Sequence, residues 1–333
     1  GHLEQSDGTS WMGMFCLNLM RIAIELAREN PVYENIATKF FEHFLGIAGA
    51  MNNLGGQGIG LWDETDEFFY DVLHMPDGRY LPLRVRSLVG LMPLLAVETV
   101  EPELLDAMPG FKERLEWYLE NRPDLANLIS RWHDPGAGDR RLVALTRGHR
   151  LKCLLRRMLD PDEFLSDYGV RSLSKFHEKN PYVLHWEDGQ RTVRYDPAES
   201  QSNIFGGNSN WRGPVWLPIN YLLIESLQKF HHYYGDDFKV ECPTGSGQHL
   251  TLNEIANDLS NRLIRLWLRD GNGQRPFERS CGDALSAEHD HELYWFHEYF
   301  NGDTTQKAQY TKVLFGTSDF FLTLITSNVW THT

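Results

Sequence analysis

The feature that most constrains the fold is a pair of long helical patterns joined by a very short link. Residues 10–29 carry apolar side chains at helical spacing, and Ser10 is a residue type that caps helices. Pro31 interrupts this pattern, and residues 32–53 then repeat it. Because two long helices with so short a connection pack most readily against each other, the sequence predicts an antiparallel helical hairpin.

The clearest single helix is predicted at residues 251–268. Thr251 can cap it, Glu254 stands at the reciprocal capping-box position, and leucine and isoleucine residues form one apolar stripe. Further helices are predicted at about residues 87–99, 101–121, 142–160, 163–179 and 216–233. Together these patterns indicate a mainly α fold built from paired helices.

Extended segments interrupt the helices in the first two thirds of the chain. Residues 68–73 and 80–85 are predicted to form a β-hairpin, because Pro76-Asp77-Gly78 supplies a turn between them. Residues 182–196 are also predicted to be extended. Residues 65–200 are therefore expected to form a mixed region that contains this hairpin.

Charge and composition exclude several classes of function. Hydrophobic residues make up 41% of the 333 residues, which is enough for a substantial core. The net charge of −14 would repel a phosphate backbone, so nucleic acid is not an expected partner. No stretch of 18 apolar residues occurs, so the sequence predicts no membrane span.

The four cysteines do not suggest a structural cross-link. Cys16, Cys153, Cys242 and Cys281 are far apart and form no Cys-x-x-Cys pair, which argues against a zinc ribbon or a disulfide scaffold. A reducing, cytoplasmic location is therefore expected. The chain starts at Gly1 without a signal segment and is expected to be the interior of a longer protein, whose amino-terminal half would be its partner.

Two acidic and aromatic clusters are candidate binding segments. The first places Glu4, Asp7 and Trp11 at a helix entrance, where carboxylates also serve simply as helix caps. The second, with its carboxylates beside an indole after a glycine-rich loop, could hold sugar hydroxyls or form a solvated acidic turn. Its candidate binding residues are Trp62, Asp63 and Glu64.

The most specific segment is the glycine-rich stretch of residues 206–221. Amide and guanidinium groups supply directional hydrogen bonds, and indole rings supply flat surfaces on which a ligand can stack. Two prolines, Pro214 and Pro218, stiffen the loop and the helix start. The candidate binding residues of this segment are Asn208, Asn210, Trp211, Arg212 and Trp216.

A carboxylate near the carboxyl terminus is the candidate catalytic group. Glu298 lies among aromatic residues in the segment 294–300, although a helix-surface glutamate is the alternative interpretation. Neighbouring histidines suggest a metal site, but the His-Glu-x-x-His zinc pattern is missing. We therefore predict neither a metal nor a cofactor.

Taken together, these segments resemble glycoside hydrolase family 63, whose members include mannosyl-oligosaccharide glucosidase and long bacterial-type enzymes. The resemblance runs from residue 1 to about residue 302. It is carried by residues 3–12, 58–64, 83–87, 206–221 and 235–247.

The resemblance implies an (α/α)6 toroid of helical hairpins that hydrolyses an α-linked glucoside, or a related α-glycoside or oligosaccharide, with inversion. Inversion requires a general acid and a carboxylate base about 6.5–9.5 Å apart, with a water between them. Glu298 falls where the family keeps its base. The family's acid lies just upstream of the segment that matches residues 3–12, so Asp7 is expected to support sugar binding.

The resemblance also implies that residues 1–333 form a partial catalytic domain. The toroid is expected to be incomplete at its amino-terminal side, to expose apolar seams, and to be inactive alone. Residues 303–333 depart from the family pattern and are expected to form an atypical tail. The alternatives are a non-catalytic helical fragment that binds carbohydrate or protein, and a phosphorylase or lyase on the same fold.

Overall fold

The fold is known from a computed structural model. It describes residues 2–53, 60–123, 134–146, 148–186, 189–198, 200–205, 207, 214–271, 273, 275–276 and 299–303. These residues are about half helical, with small antiparallel sheets between the helices. Within them, no helix is both long enough and apolar enough to cross a membrane.

The predicted amino-terminal hairpin is confirmed. Helix α1 spans Ser6–Ala27 and helix α2 spans Val32–Asn52, and the two pack closely against each other. The start of α1 was predicted wrongly, because Ser10 lies inside the helix and its hydroxyl donates a 2.6 Å hydrogen bond to the carbonyl of Ser6. The acidic segment before Ser10 is therefore already helical.

One face of α1 does not enter the core. Five large apolar side chains spaced along the helix are more than two-fifths exposed. This agrees with the expectation of exposed apolar seams. The side chains are Met12, Phe15, Leu19, Ile22 and Leu26.

The remaining helices of the described residues fall into a short central group and a carboxyl-terminal pair. Helices α7 and α8 pack on each other as a second hairpin. The others are α3 (Pro102–Ala107), α4 (Pro109–Asn121), α5 (Gly148–Met158), α6 (Phe176–Lys179), α7 (Leu217–Tyr234) and α8 (Leu252–Arg265).

The capping box predicted for the last of these helices is confirmed. The Thr251 side chain accepts a hydrogen bond from the Glu254 amide, and the Glu254 carboxylate accepts one from the Thr251 amide. Two orphan amide groups at the start of α8 are thereby satisfied.

The strands are short, and every named pair is antiparallel. Their bounds are β1 His2–Glu4, β2 Trp62–Asp63, β3 Phe68–Phe69, β4 Asp71–His74, β5 Tyr80–Leu83, β6 Val97–Val100, β7 Arg141–Ala144, β8 Leu165–Ser166, β9 Gly169–Val170, β10 Tyr182–Trp186, β11 Gly189–Val193, β12 Val215–Trp216, β13 Lys239–Glu241, β14 His249–Thr251 and β15 Tyr299–Phe300. In the described part of the chain, the largest sheet has three strands in the order β1–β4–β5, and the others are two-stranded: β2–β3, β6–β7, β8–β9, β10–β11, β12–β15 and β13–β14.

The predicted hairpin is confirmed as β4–β5, and the extended region at 182–196 as β10–β11. One predicted helix was wrong. Residues 87–99 form two 3₁₀ turns and enter β6, which pairs with β7 about 45 residues later along the chain. The short helix predicted within residues 163–179 is present only at Phe176–Lys179, because β8 and β9 form a tight hairpin before it.

The predicted toroid is not confirmed by this structure. The hairpins α1–α2 and α7–α8 are the kind of unit from which a toroid is built, but no ring of hairpins closes within the described ranges. What the structure establishes is a helical fold with small antiparallel sheets.

One buried amide joins the β8–β9 hairpin to α7. The Asn220 Oδ1 accepts a 2.7 Å bond from the Val170 amide, and its Nδ2 donates to the carbonyls of Val170 and Trp216 at 3.1 and 2.8 Å. Because a buried amide without a partner costs about 1–3 kcal/mol, we expect Asn220→Ala to lower the free energy of unfolding by about 2 kcal/mol in urea denaturation.

A matched control for this variant is Asn180→Ala. The Asn180 side chain is exposed and donates one bond to the Phe176 carbonyl in its own helix. We expect its removal to change the free energy of unfolding by less than about 0.5 kcal/mol. Equal effects of the two substitutions would contradict the linking role of Asn220.

Candidate functional site

The strand pair β12–β15 brings together the two segments that the sequence singled out most strongly. Trp216 is opposite Tyr299 in the register, and their ring centroids are 4.6 Å apart. Trp216 belongs to the glycine-rich segment 206–221, and Tyr299 directly follows Glu298 in sequence. Two segments about 80 residues apart along the chain therefore meet through main-chain hydrogen bonds and a pair of tilted aromatic rings.

The loop between β2 and β3 is organised by the Asp63 carboxylate. One carboxylate oxygen accepts 2.9 Å bonds from the amides of Thr65 and Asp66, and the other lies 2.8 Å from the Arg84 guanidinium. Asp63 therefore shapes the acidic turn, and its predicted contact with a sugar stays a prediction. The ion pair also joins the stretches 58–64 and 83–87, which the resemblance had singled out separately.

A second arginine, Arg150, packs against Trp62 at the start of this loop. The Arg150 guanidinium, which α5 presents, lies 4.9 Å from the centre of the Trp62 ring and donates a 2.7 Å bond to Asn52 Oδ1. Phe69 packs edge-on against the same indole, which is 8% exposed. A sugar could stack on the face next to Arg150 only if this guanidinium moved, so Trp62 acts in this structure as a packed core residue.

Among the predicted binding residues that the structure describes, Glu64 is the most exposed. Its side chain is 81% exposed, and one carboxylate oxygen lies 3.6 Å from Arg150. Such an exposed pair contributes little to stability, which leaves this carboxylate available to a ligand.

The same loop is connected through Asp66 to a network of charged groups that the sequence did not predict. Arg86 pairs with Asp66 at 3.2 Å and with Glu163 at 3.3 Å, and Arg157 also binds Glu163. Burial alone would raise the pKa of Asp66, but the hydrogen bond from Tyr70 and the charge of Arg86 outweigh burial and lower it. The loop is thus anchored by ion pairs of Arg86 and Arg157 with Asp66 and Glu163.

The first acidic cluster lies against strand β4. Glu4 pairs with Val72 in the sheet, and its carboxylate bonds to His2 at 2.9 Å. Asp7 is buried in the first turn of α1, where its Oδ1 accepts a 2.7 Å bond from the Gly8 amide. Trp11 is half-buried and stacks on Phe15 with ring centroids 6.1 Å apart.

Five predicted site residues lie outside the described residues. They are Glu298, Asn208, Asn210, Trp211 and Arg212. The histidines at 289, 291 and 297 and the tail from residue 304 also fall outside them.

The residues that sequence reasoning missed are mostly arginines. Arg84 and Arg86 lie in the stretch 83–87 that carried part of the resemblance, so a signal for them was present. Arg150 and Glu163 belong to segments read only as amphipathic helices. Their partners are distant in sequence, and no local pattern predicts such ion pairs.

Comparison with known proteins gives a consistent family. Residues 141–291 match the Glycosyl hydrolase family 63 C-terminal domain. An uncharacterized protein of Saccharomyces cerevisiae is 46% identical over 320 residues, which cover 91% of this chain and 29% of that protein.

Two relatives carry names that describe an activity. Mannosyl-oligosaccharide glucosidase of Saccharomyces cerevisiae is 26% identical over 141 residues, 42% of this chain and 14% of that protein. Probable mannosyl-oligosaccharide glucosidase of Schizosaccharomyces pombe is 26% identical over 123 residues, 37% of this chain and 11% of that protein. The chain thus spans less than a third of each of these relatives. The matching domain and these relatives agree with the motifs, and residues 141–291 of the chain are similar to the C-terminal domain of glycosyl hydrolase family 63.

Proposed function

We propose that this chain contributes to a glycosidase that hydrolyses an α-linked glucoside, or a related α-glycoside, with inversion. Glu298 is the base that removes a proton from the attacking water, and the aromatic and amide residues of 206–221 bind the sugar. The scaffold is a toroid of helical hairpins, of which α1–α2 and α7–α8 are two units. Similarity to the C-terminal domain of family 63 supports the reaction class.

The observation that carries the proposal is the pairing of β12 with β15. Glu298 is joined by one peptide bond to Tyr299, which packs against Trp216. A base must be held within hydrogen-bond reach of a water that is itself next to the bound sugar. The pairing of the strand that follows Glu298 in sequence with a strand inside the proposed sugar-binding segment supports this arrangement.

The general acid must differ from the base in its environment. An acid needs a carboxyl group that keeps its proton near neutral pH, which a neighbouring guanidinium opposes. Despite burial, the pKa of Asp66 is lowered by Tyr70 and Arg86. Asp63 is held by two amides and Arg84, so neither carboxyl group is our candidate for that role. In line with the family resemblance, we propose that the acid is a carboxyl group outside the described residues and that Asp63 shapes the loop.

The apolar face of α1 favours a second role, the binding of a protein segment. Its five exposed side chains form a continuous stripe such as helices use for contact with other helices. This role is compatible with hydrolysis, since the stripe and the β12–β15 pair belong to different elements.

Sugar release tests the proposed function. The 333-residue chain, and any longer gene product that contains it, are incubated with a panel of α-glucosides and α-mannosides. Proton nuclear magnetic resonance follows the first anomer that appears. We expect an α-glucoside to release β-glucose first, because water attacks opposite the leaving group.

Two outcomes would contradict this proposal. First release of the α-anomer would exclude inversion. Sugar binding by a folded, full-length gene product without any release would instead indicate a non-catalytic carbohydrate-binding protein.

A further inference from the structure

A cluster of three metal-ligating side chains lies beside the β2–β3 loop and has no part in the proposed hydrolysis. Glu67 ends that loop, and His149 and Cys153 come from the first two turns of α5. One ligand atom from each of the three side chains lies within 4.8 Å of the other two. Residues four apart on a helix lie on the same face, so α5 presents the imidazole and the thiol together.

We propose that Glu67, His149 and Cys153 form a binding site for a divalent transition metal ion of the zinc type. The site would have three protein ligands and one open position for water. Thiolate, imidazole and carboxylate are the ligand types that zinc accepts, and the thiolate favours zinc over magnesium or calcium.

The distances in the cluster suit such an ion. His149 Nε2 lies 3.0 Å from Glu67 Oε1 and 3.4 Å from Cys153 Sγ. In a tetrahedral zinc site, neighbouring ligand atoms are about 3.3–3.6 Å apart, given the usual zinc–ligand bond lengths. The Glu67 and Cys153 ligand atoms lie within 4.8 Å of each other, so the three side chains would have to close around the ion. The side chain of His149 is 74% exposed and can rotate toward it.

The groups around the cluster position the carboxylate. Arg156 binds Glu67 Oε2 at 2.5 Å, which leaves Oε1 directed at His149. A carboxylate held by a second partner in this way is a typical support of a metal ligand. The hydrogen bond from Arg156 also lowers the pKa of Glu67, so this ligand is already ionised.

Transition metals bind cysteine as the thiolate, so metal binding at the cluster would release one proton. The S–H bond of Cys153 breaks, a sulfur–metal bond forms, and the proton passes to solvent. Cys153 is only 3% exposed, which argues against a reactive thiol nucleophile at this position.

Cobalt(II) titration of the metal-free protein tests the site. We expect one equivalent to produce the near-ultraviolet thiolate-to-cobalt absorption band, and zinc to abolish it by displacement. Cys153→Ser should remove the band. His149→Ala should weaken cobalt binding by about tenfold or more, without loss of fold, because His149 is largely exposed.

Matched controls separate this site from other cysteines and histidines. Cys281→Ser should keep the band, which excludes a site formed by that cysteine and the histidines that follow it in sequence. His185→Ala, which removes a histidine from the exposed hairpin β10–β11, should leave the affinity unchanged. The proposal is overturned if the unchanged protein gives no band, if Cys153→Ser retains it, or if His149→Ala binds cobalt normally.

Discussion

Replacement of Glu298 by glutamine should lower sugar release by roughly a thousandfold, within the range that general acid–base groups contribute. Glutamine keeps the size and the hydrogen-bonding capacity of the side chain but cannot accept the proton of the attacking water. We expect sugar binding, followed by tryptophan fluorescence, to change little, because the indoles of the binding segment remain. The measurement is kcat in the longest gene product that releases sugar, with the dissociation constant measured in parallel.

Glu292→Gln is the matched control for this experiment. It makes the same chemical change six residues earlier, in a position for which we propose no role. It should keep kcat within about twofold of the unchanged protein. Turnover that survives in Glu298→Gln, or falls equally in both variants, would remove Glu298 from the role of base.

The largest effect on stability is expected at Gly90. A Cβ atom added there would lie 2.1 Å from Phe68 Cε1 and 2.4 Å from the carbonyl oxygen of Phe69. Both neighbours are buried, and one of them is backbone, so neither can move aside without disturbing the core. We expect Gly90→Ala to lower the free energy of unfolding by about 3 kcal/mol, the upper part of the range for overpacking.

Gly46→Ala adds the same methyl group where there is room for it. Gly46 lies in the interior of α2, and nothing is within 4 Å of its added Cβ. Alanine favours the helical conformation more than glycine does. The free energy of unfolding of this variant should therefore rise by about 0.5–1 kcal/mol. Urea denaturation of the two variants measures the difference. If Gly90→Ala proves as stable as Gly46→Ala, the inference that Gly90 packs too closely on Phe68 to admit a side chain is wrong.

The sequence alone predicted the features that depend on neighbouring residues. The bounds of α2 and α7, the capping box at Thr251 and the β4–β5 hairpin follow from periodicity, caps and turns, each of which operates within one or two turns of chain. The family resemblance also followed from sequence, because its motifs are short contiguous segments. The helix predicted at 87–99 was wrong because β6 pairs with β7, which lies far along the chain. A local sequence pattern does not predict such a pairing.

The candidate site shows the same division. The residue types in 206–221, with the family resemblance around Glu298, led to the prediction of a sugar-binding site. Only the tertiary structure paired β12 with β15, covered Trp62 with Arg150, and set Glu67 beside His149 and Cys153. Helical periodicity and capping groups depend on residues that are close together in the sequence. Strand pairing and ion pairs join residues that are distant along the chain, and they are decided by how the hydrophobic core brings the elements together.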